Sequence, residues 1–288
     1  RERPEMKSTD LQRRLAMMAE ARSKTLEVPF EVERRDLEIP FIGTGGKPDR
    51  RTLRIYVPKH VSGPLPLVFV AHYEMPENDP LLAVYLEKGW AVSTVTRYQT
   101  AYNGMLFEDN LVFNSAVLAA VRKQPDIDRG RIIVCGGSAG GYMAMMLSIL
   151  HLGICAAVSF SGIANLPFNL RYMQAANQYN LQILADMTEE ERQNPAILLE
   201  KLPIPVLGAV SHQFDPILAK LERQPEDPVW AAASPACMAE GFSNPVLFTH
   251  FTSDVLVPID QLTKRHAAYL AGETPPPVYR LRLEEFPL

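Results

Sequence analysis

A serine set between glycines is the first pattern in this chain that could do chemistry. Gly136-Gly137-Ser138-Ala139-Gly140 reads Gly-x-Ser-x-Gly, an arrangement that can present a hydroxyl as a nucleophile to a carbonyl carbon. With 16 glycines in 288 residues, chance supplies roughly 0.04 such matches, so the pattern takes its weight from context. It follows Ile132-Ile133-Val134-Cys135, an apolar β-branched run, and precedes Tyr142-Met143-Ala144-Met145-Met146-Leu147, a good helix former. Strand, sharp turn and helix in that order hold a hydroxyl clear of a sheet, and Gly136 and Gly140 leave room where side chains would collide. A helix starting just after Ser138 also aims backbone N–H groups and its positive dipole end at a developing oxyanion. A glycine-rich turn that only packs helix on strand, or a phosphate cradle, would use the same glycines. A P-loop, however, needs a Lys after them, and none is present.

The second candidate is an acid. The apolar stretch 246–251 runs into Thr252-Ser253-Asp254-Val255-Leu256-Val257-Pro258. A carboxylate just past the end of a buried strand can accept a hydrogen bond from an imidazole and fix its tautomer, which makes Asp254 the expected acid. The same residue could instead be an N-cap or turn aspartate for the following helix. The base is not evident. In the order nucleophile, acid, histidine, the histidine follows the last strand, and the sequence reaches Phe286-Pro287-Leu288 with none there. His266 falls inside the helix predicted after Asp254, and His250 lies on the strand before it; both positions suit structural roles. His60, His151 and His212 are placed less well still, and His72 suits shaping a loop. The expectation is a base beyond Leu288.

The elements that must position these residues follow from periodicity. Segments 31–40 and 51–58 alternate and are separated by the turn-rich Gly43-Thr44-Gly45-Gly46, predicting an antiparallel hairpin. Leu67-Val68-Phe69-Val70-Ala71 is a continuous apolar run, as expected of a strand covered on both faces. Helix 80–88, strand 90–96, helix 109–123, strand 131–135, helix 141–150 and strand 156–160 then alternate, predicting a mostly parallel sheet with crossover helices. The alternation stops at about residue 163. Residues 163–232 carry helical stretches such as 181–187 and 188–193, broken by Pro195, Pro203, Pro205, Pro216, Pro225 and Pro228, too long for an ordinary loop, and are expected to form a mostly helical cap insertion. Its Phe168, Tyr172, Met173, Tyr179, Leu181 and Phe214 could line an apolar acyl pocket or make the insertion's own core. Helix 235–240, strand 246–251, helix 259–270 and strand 278–284 complete the pattern. The expected division is a core of residues 1–162 and 233–288, with residues 1–28 as an amphipathic helical arm, and a cap of 163–232.

From here the chain resembles the α/β-hydrolase superfamily over nearly its whole length. Gly-Gly-Ser-Ala-Gly-Gly resembles both the hormone-sensitive-lipase-like esterases and the prolyl-oligopeptidase-like branch; Pro125-Asp126-Ile127-Asp128-Arg129-Gly130-Arg131-Ile132 and Asp254-x-x-Val257-Pro258 are nearer the second. The resemblance implies an α/β-hydrolase fold and a Ser138 acyl-enzyme. It also implies two oxyanion donors: the N–H of Ala139, and one from the loop after the third strand, Ala71-His72-Tyr73-Glu74-Met75-Pro76. The Gly-Gly usual after that histidine is absent, which makes Tyr73 the best available second donor, unless it is a pocket wall. A carboxylic ester is the expected substrate. A peptidase, an acyltransferase, or a hydrolase-like protein that binds without turnover remain as alternatives.

Composition bounds the remaining classes. The 29 basic and 33 acidic side chains are interspersed and sum to −4, which argues against a nucleic-acid surface. No apolar run is long enough to span a bilayer. Three cysteines cannot all pair; Cys135 and Cys155, in apolar sequence, are expected to be buried thiols, a cytoplasmic trait. Arg1 stands where an initiator Met would, marking a processed or truncated start. No metal-ligand spacing or dinucleotide fingerprint is visible, so no cofactor is expected, and the expected partner is a small acyl substrate. Oligomeric state is not legible.

Overall fold

The computed structural model describes residues 28–43, 46–96, 109–202, 227–251, 254, 256–259 and 261–262. The hairpin comes first. Strands β1 (Val32–Ile42) and β2 (Pro48–Pro58) pair antiparallel from Val32 opposite Pro58 to Ile42 opposite Pro48. The ladder runs further toward the turn than alternation predicted. Gly43 and Gly46 carry the tight closure, Gly46 at φ 72° donating to the Gly43 carbonyl at 2.8 Å.

The remaining strands are β3 (Leu65–Val70), β4 (Ala91–Val95), β5 (Ile127–Gly137), β6 (Ala156–Phe160) and β7 (Val246–Thr249). The seven-stranded sheet runs in the order β1-β2-β4-β3-β5-β6-β7, with the β1–β2 and β2–β4 pairs antiparallel and the other four pairs parallel. Helices α1 (Pro80–Glu87), α2 (Asp109–Val121) and α3 (Ala139–Leu150) make the crossovers. The unbroken apolar run of β3 is explained by its two covered faces. Leu67 and Phe69 pack with Val117, Leu118, Met143 and Leu147 of α2 and α3 on one face, whereas Val68 and Val70 pack with Leu82 and Leu86 of α1 on the other. Helix α3 is enclosed: every residue from Ala139 to Ser148 is buried.

This topology creates one crevice. From β3 the chain crosses by α1 to β4 on one side, and from β5 by α3 to β6 on the other, with α1 and α3 on opposite faces. The carboxyl ends of β3 and β5 therefore diverge, which is where open α/β sheets bind ligands. Ala71 and Ser138 leave the sheet there.

Between β6 and β7 the described chain is helical: α4 (Leu166–Asp186), α5 (Glu189–Gln193), α6 (Pro195–Lys201) and α7 (Pro228–Ala232). The stretch 181–187, read from sequence as a separate helix, is the end of the 21-residue α4. Asn165 caps α4 by accepting from the Phe168 N–H, and Thr188 with Glu191 forms a full capping box on α5. The segment expected as helix 235–240 is instead two 3-10 turns, Pro235–Cys237 and Ala239–Gly241. Among the described residues no helix is long and apolar enough to cross a membrane. Cys135 is buried, but Cys155 is exposed, correcting the sequence expectation: it stands one residue before β6, outside the strand. All three cysteines are free thiols. The predicted arm 1–28, all but its last residue, together with Phe214, His212, His266 and strand 278–284, lies outside the described residues.

Candidate active site

Strand β5 runs straight into the Gly-Ser turn and α3 leaves it at Ala139, so a single residue joins the two elements. That residue is Ser138, at φ 52° and ψ −118°. A non-glycine residue in this region costs on the order of 1–3 kcal/mol and must be held there by its surroundings. The restraints are visible. Ser138 N–H donates to the Phe160 carbonyl at 2.9 Å, and its own carbonyl accepts from Tyr142 N–H at 3.1 Å and Ile163 N–H at 3.4 Å. An ordinary N-cap serine sits in the extended region and spends its hydroxyl on the helix. Ser138 makes no side-chain cap bond, so its hydroxyl is not used by α3.

The glycines explain themselves by contact. A Cβ on Gly136 would lie 2.5 Å from the Gly140 carbonyl carbon and oxygen, and one on Gly140 would lie 2.7 Å from the Ala71 oxygen and 3.2 Å from Tyr73 Cδ2. The loop after β3 is therefore pressed against the turn, and Tyr73 packs against the apolar cluster that contains Ala139.

The loop itself differs from expectation in one respect. His72 takes φ 71°, and the Tyr73 N–H closes a three-residue turn onto the Ala71 carbonyl at 2.9 Å. The amide expected to point at an oxyanion is thus engaged within its own loop. A polar network behind the loop fixes this shape: His72 N–H donates to Asn114 Oδ1 at 3.2 Å, Asn114 Nδ2 to the Asn110 carbonyl at 2.7 Å, and Arg51 Nη1 to Asn110 Oδ1 at 2.7 Å. The Arg51 guanidinium lies over the Phe41 and Phe113 rings, 5.0 and 5.1 Å from their centroids.

Burial, with the Arg51 charge adding to it, pulls the His72 imidazole down to about 4 from an ordinary 6.5. A native state that refuses a proton the unfolded chain accepts gains stability above pH 6.5, and loses it as pH falls toward 4. In urea unfolding at about pH 7 and about pH 4.5, wild type is expected to lose more stability on acidification than His72→Asn, whose side chain tolerates positive φ.

Asp254 follows β7 and is half-buried. Its Oδ1 accepts from Leu256 N–H at 3.0 Å and Val257 N–H at 2.8 Å, and its own N–H donates to the Phe251 carbonyl at 3.1 Å. The turn role foreseen as an alternative is therefore real, yet it occupies one oxygen; among the described residues Oδ2 accepts no hydrogen bond. His250 closes the same loop, with Nε2 2.5 Å from the Val257 carbonyl. His151 bonds Ser115, and His60 lies tilted against the Phe30 ring, 3.9 Å between centroids. Among the described residues no histidine ring is hydrogen-bonded to Ser138 or Asp254.

An apolar cluster surrounds the turn: Ala139, Ile163, Leu170, Met173, Trp230 and Val257 are buried in it, with Tyr73 and Tyr172 packed alongside. Phe168 stacks on Tyr172 at 6.5 Å. Tyr179 and Leu181, read as pocket candidates, are instead 56% and 55% exposed, because α4 turns that face to solvent.

No family model matches the chain, and no curated protein matches it. Solved structures do. The Pyrococcus horikoshii acylaminoacyl peptidase, uncomplexed, is similar at TM-score 0.55 and 15% identity over 84% of this chain and 36% of that one. A Mycobacterium tuberculosis puromycin-hydrolyzing peptidase is similar at TM-score 0.52 and 20% identity over 85% and 34%. The 2,6-dihydroxy-pseudo-oxynicotine hydrolase is similar at TM-score 0.50 and 16% identity over 91% and 65%. The chain thus spans about a third of the length of the two peptidases. These likenesses give the fold: it is the α/β-hydrolase fold.

Proposed function

We propose that the chain is a serine hydrolase of the prolyl-oligopeptidase-like branch that cleaves an acyl bond through a Ser138 acyl-enzyme. The observation that carries this reading is the strained backbone of Ser138 between β5 and α3, with a hydroxyl that the helix does not use. Strain of this kind persists where function needs it. Ser138 Oγ attacks the carbonyl carbon while a histidine takes its proton, and that histidine, oriented by Asp254 Oδ2, returns the proton to the leaving alcohol or amine. Water then attacks the acyl-enzyme by the same route, releasing the acid and restoring the hydroxyl. The base lies C-terminal to Asp254 and outside the described residues. Ala139 N–H is the first oxyanion donor. Tyr73 N–H is the second, and sharing its bond between the Ala71 carbonyl and the oxyanion is the adjustment that substrate binding has to drive.

The helical stretch between β6 and β7 acts as a cap, and its apolar cluster beside Ala139 suits an apolar acyl group. A small carboxylic ester satisfies this site. Peptide or amide cleavage is the second reading, favoured by the likeness of the fold to the two peptidases. Incubation with a fluorophosphonate probe, which loses fluoride as Ser138 Oγ bonds phosphorus, is expected to label the peptide that contains Ser138. An unlabelled, folded protein that carries the base C-terminal to Asp254 would sink the reading. For a labelled one, a paired series of p-nitrophenyl acyl esters and acyl-aminoacyl anilides separates esterase from peptidase.

A further inference from the structure

Gln261 belongs to none of the motifs visible in the sequence, yet it is only 1% exposed and its side chain is bonded on both ends. Its Oε1 accepts from Ala164 N–H at 3.0 Å, Asn165 N–H at 3.2 Å and Asn169 Nδ2 at 2.5 Å, and its Nε2 donates to the Gly162 carbonyl at 3.2 Å. Two of the donors are backbone N–H groups, which cannot reverse roles, so the amide orientation is settled by chemistry. All four partners lie 92 to 99 residues upstream, in the segment that leaves β6.

That segment is itself locked to the nucleophile turn. Ile163 N–H donates to the Ser138 carbonyl at 3.4 Å, and a Cβ on Gly141 would lie 2.6 Å from Gly162 Cα, so no side chain separates the two backbones. On its other side Gln261 is tied to the acid loop, its N–H donating to the Pro258 carbonyl at 3.2 Å, one residue beyond the Val257 whose N–H holds Asp254 Oδ1. Nucleophile turn, β6 exit and acid loop are thereby joined in series, and the Gln261 amide is the joint between the last two.

We infer that Gln261 is a positioning residue: it sets the distance and orientation of Asp254 relative to Ser138 by clamping the acid loop to the β6 exit. The inference rests on the serine-hydrolase reading above. Near-attack geometry is sensitive, and an ångström of misplacement costs about a hundredfold in rate. An amide that only filled a gap would be replaceable by an apolar isostere with no kinetic signature beyond lowered stability.

The test is labelling of Ser138 by the fluorophosphonate in the full chain, comparing wild type, Gln261→Met and Gln261→Glu, with circular dichroism to confirm folding. Gln261→Met removes every side-chain bond. It is expected to lower the saturating labelling rate about 10- to 100-fold while changing the half-saturating probe concentration less than about threefold, and to speed amide exchange at Ala164 and Asn165. Gln261→Glu keeps the three accepted bonds and loses the donor to Gly162 while ionised. It is expected to recover part of the rate, and more of it relative to wild type as pH falls, because a protonated carboxyl donates to the Gly162 carbonyl as the amide did. A folded Gln261→Met that labels at the wild-type saturating rate overturns the inference and leaves the hydrolase reading standing. Should Gln261→Met not fold, a Gln261→Glu whose rate ratio to wild type does not change with pH overturns it. A wild type that is folded and unlabelled removes the hydrolase reading, and the inference with it.

Discussion

Ser138→Ala is expected to lower kcat by about a millionfold, to the residue of rate that oxyanion donors and binding supply on their own, and to leave stability unchanged within about 0.5 kcal/mol. The two halves of this expectation come from one observation. Because the hydroxyl makes no cap bond to α3, removing it breaks nothing that holds the turn; φ 52° is equally strained for alanine, and the restraints on the backbone N–H and carbonyl remain. Asp254→Asn is the informative companion. The amide oxygen can keep the bonds from Leu256 and Val257 N–H, so the loop survives, but an NH2 group in place of Oδ2 cannot accept from an imidazole. A fall of about ten thousandfold in kcat with little change in KM is expected. Steady-state kinetics on the best ester, with urea unfolding of each variant, check both. A Ser138→Ala protein that retains more than a percent of the rate would place the nucleophile elsewhere.

The second large effect is on the fold. Gly136→Ala would put a methyl group 2.5 Å from the backbone of Gly140, inside a turn whose partners are a central strand and an enclosed helix. Neither can retreat, and a loss of about 3 kcal/mol or more is expected, together with the loss of labelling at Ser138. Gly63 is the control. It sits at φ +93° with open space where its Cβ would be, so Gly63→Ala meets only the conformational cost of positive φ, about 1 kcal/mol, and keeps the site intact. The difference between the two unfolding midpoints separates steric exclusion from backbone preference. Equal losses at the two positions would mean that the turn adjusts where the contact distances say it does not.

How much of this was legible in the sequence depended on how local the cause was. The turn at Ser138 could be read because strand, glycine spacing and helix are consecutive. The double-faced strand β3 could be read because covering on both sides removes alternation. Two features were not legible, for the same reason. The closed turn at Ala71 to Tyr73 depends on Asn114, 42 residues from His72, and the Gln261 clamp depends on groups nearly a hundred residues away. Periodicity carries no signal for such a bond, and a lone Gln in an apolar helix start looks like any surface residue. Cys155 is exposed because its apolar neighbourhood in sequence is not one in space. Asp254 was half legible: its place after β7 could be foreseen, but not that one oxygen is spent on Leu256 and Val257.

The enclosure of α3 has a bearing on how such a protein can change. A helix with ten successive residues out of solvent offers almost no position where a substitution is neutral, so the part of the chain nearest Ser138 is the part least able to drift. New specificity has to be acquired where substitutions are tolerated. Among the described residues that is the run of helices between β6 and β7, where α4 mixes buried and open faces and α5 buries nothing. A directed-evolution library aimed at α4 through α7 should therefore yield altered acyl preference at a far higher frequency of folded variants than one of equal size aimed at α3.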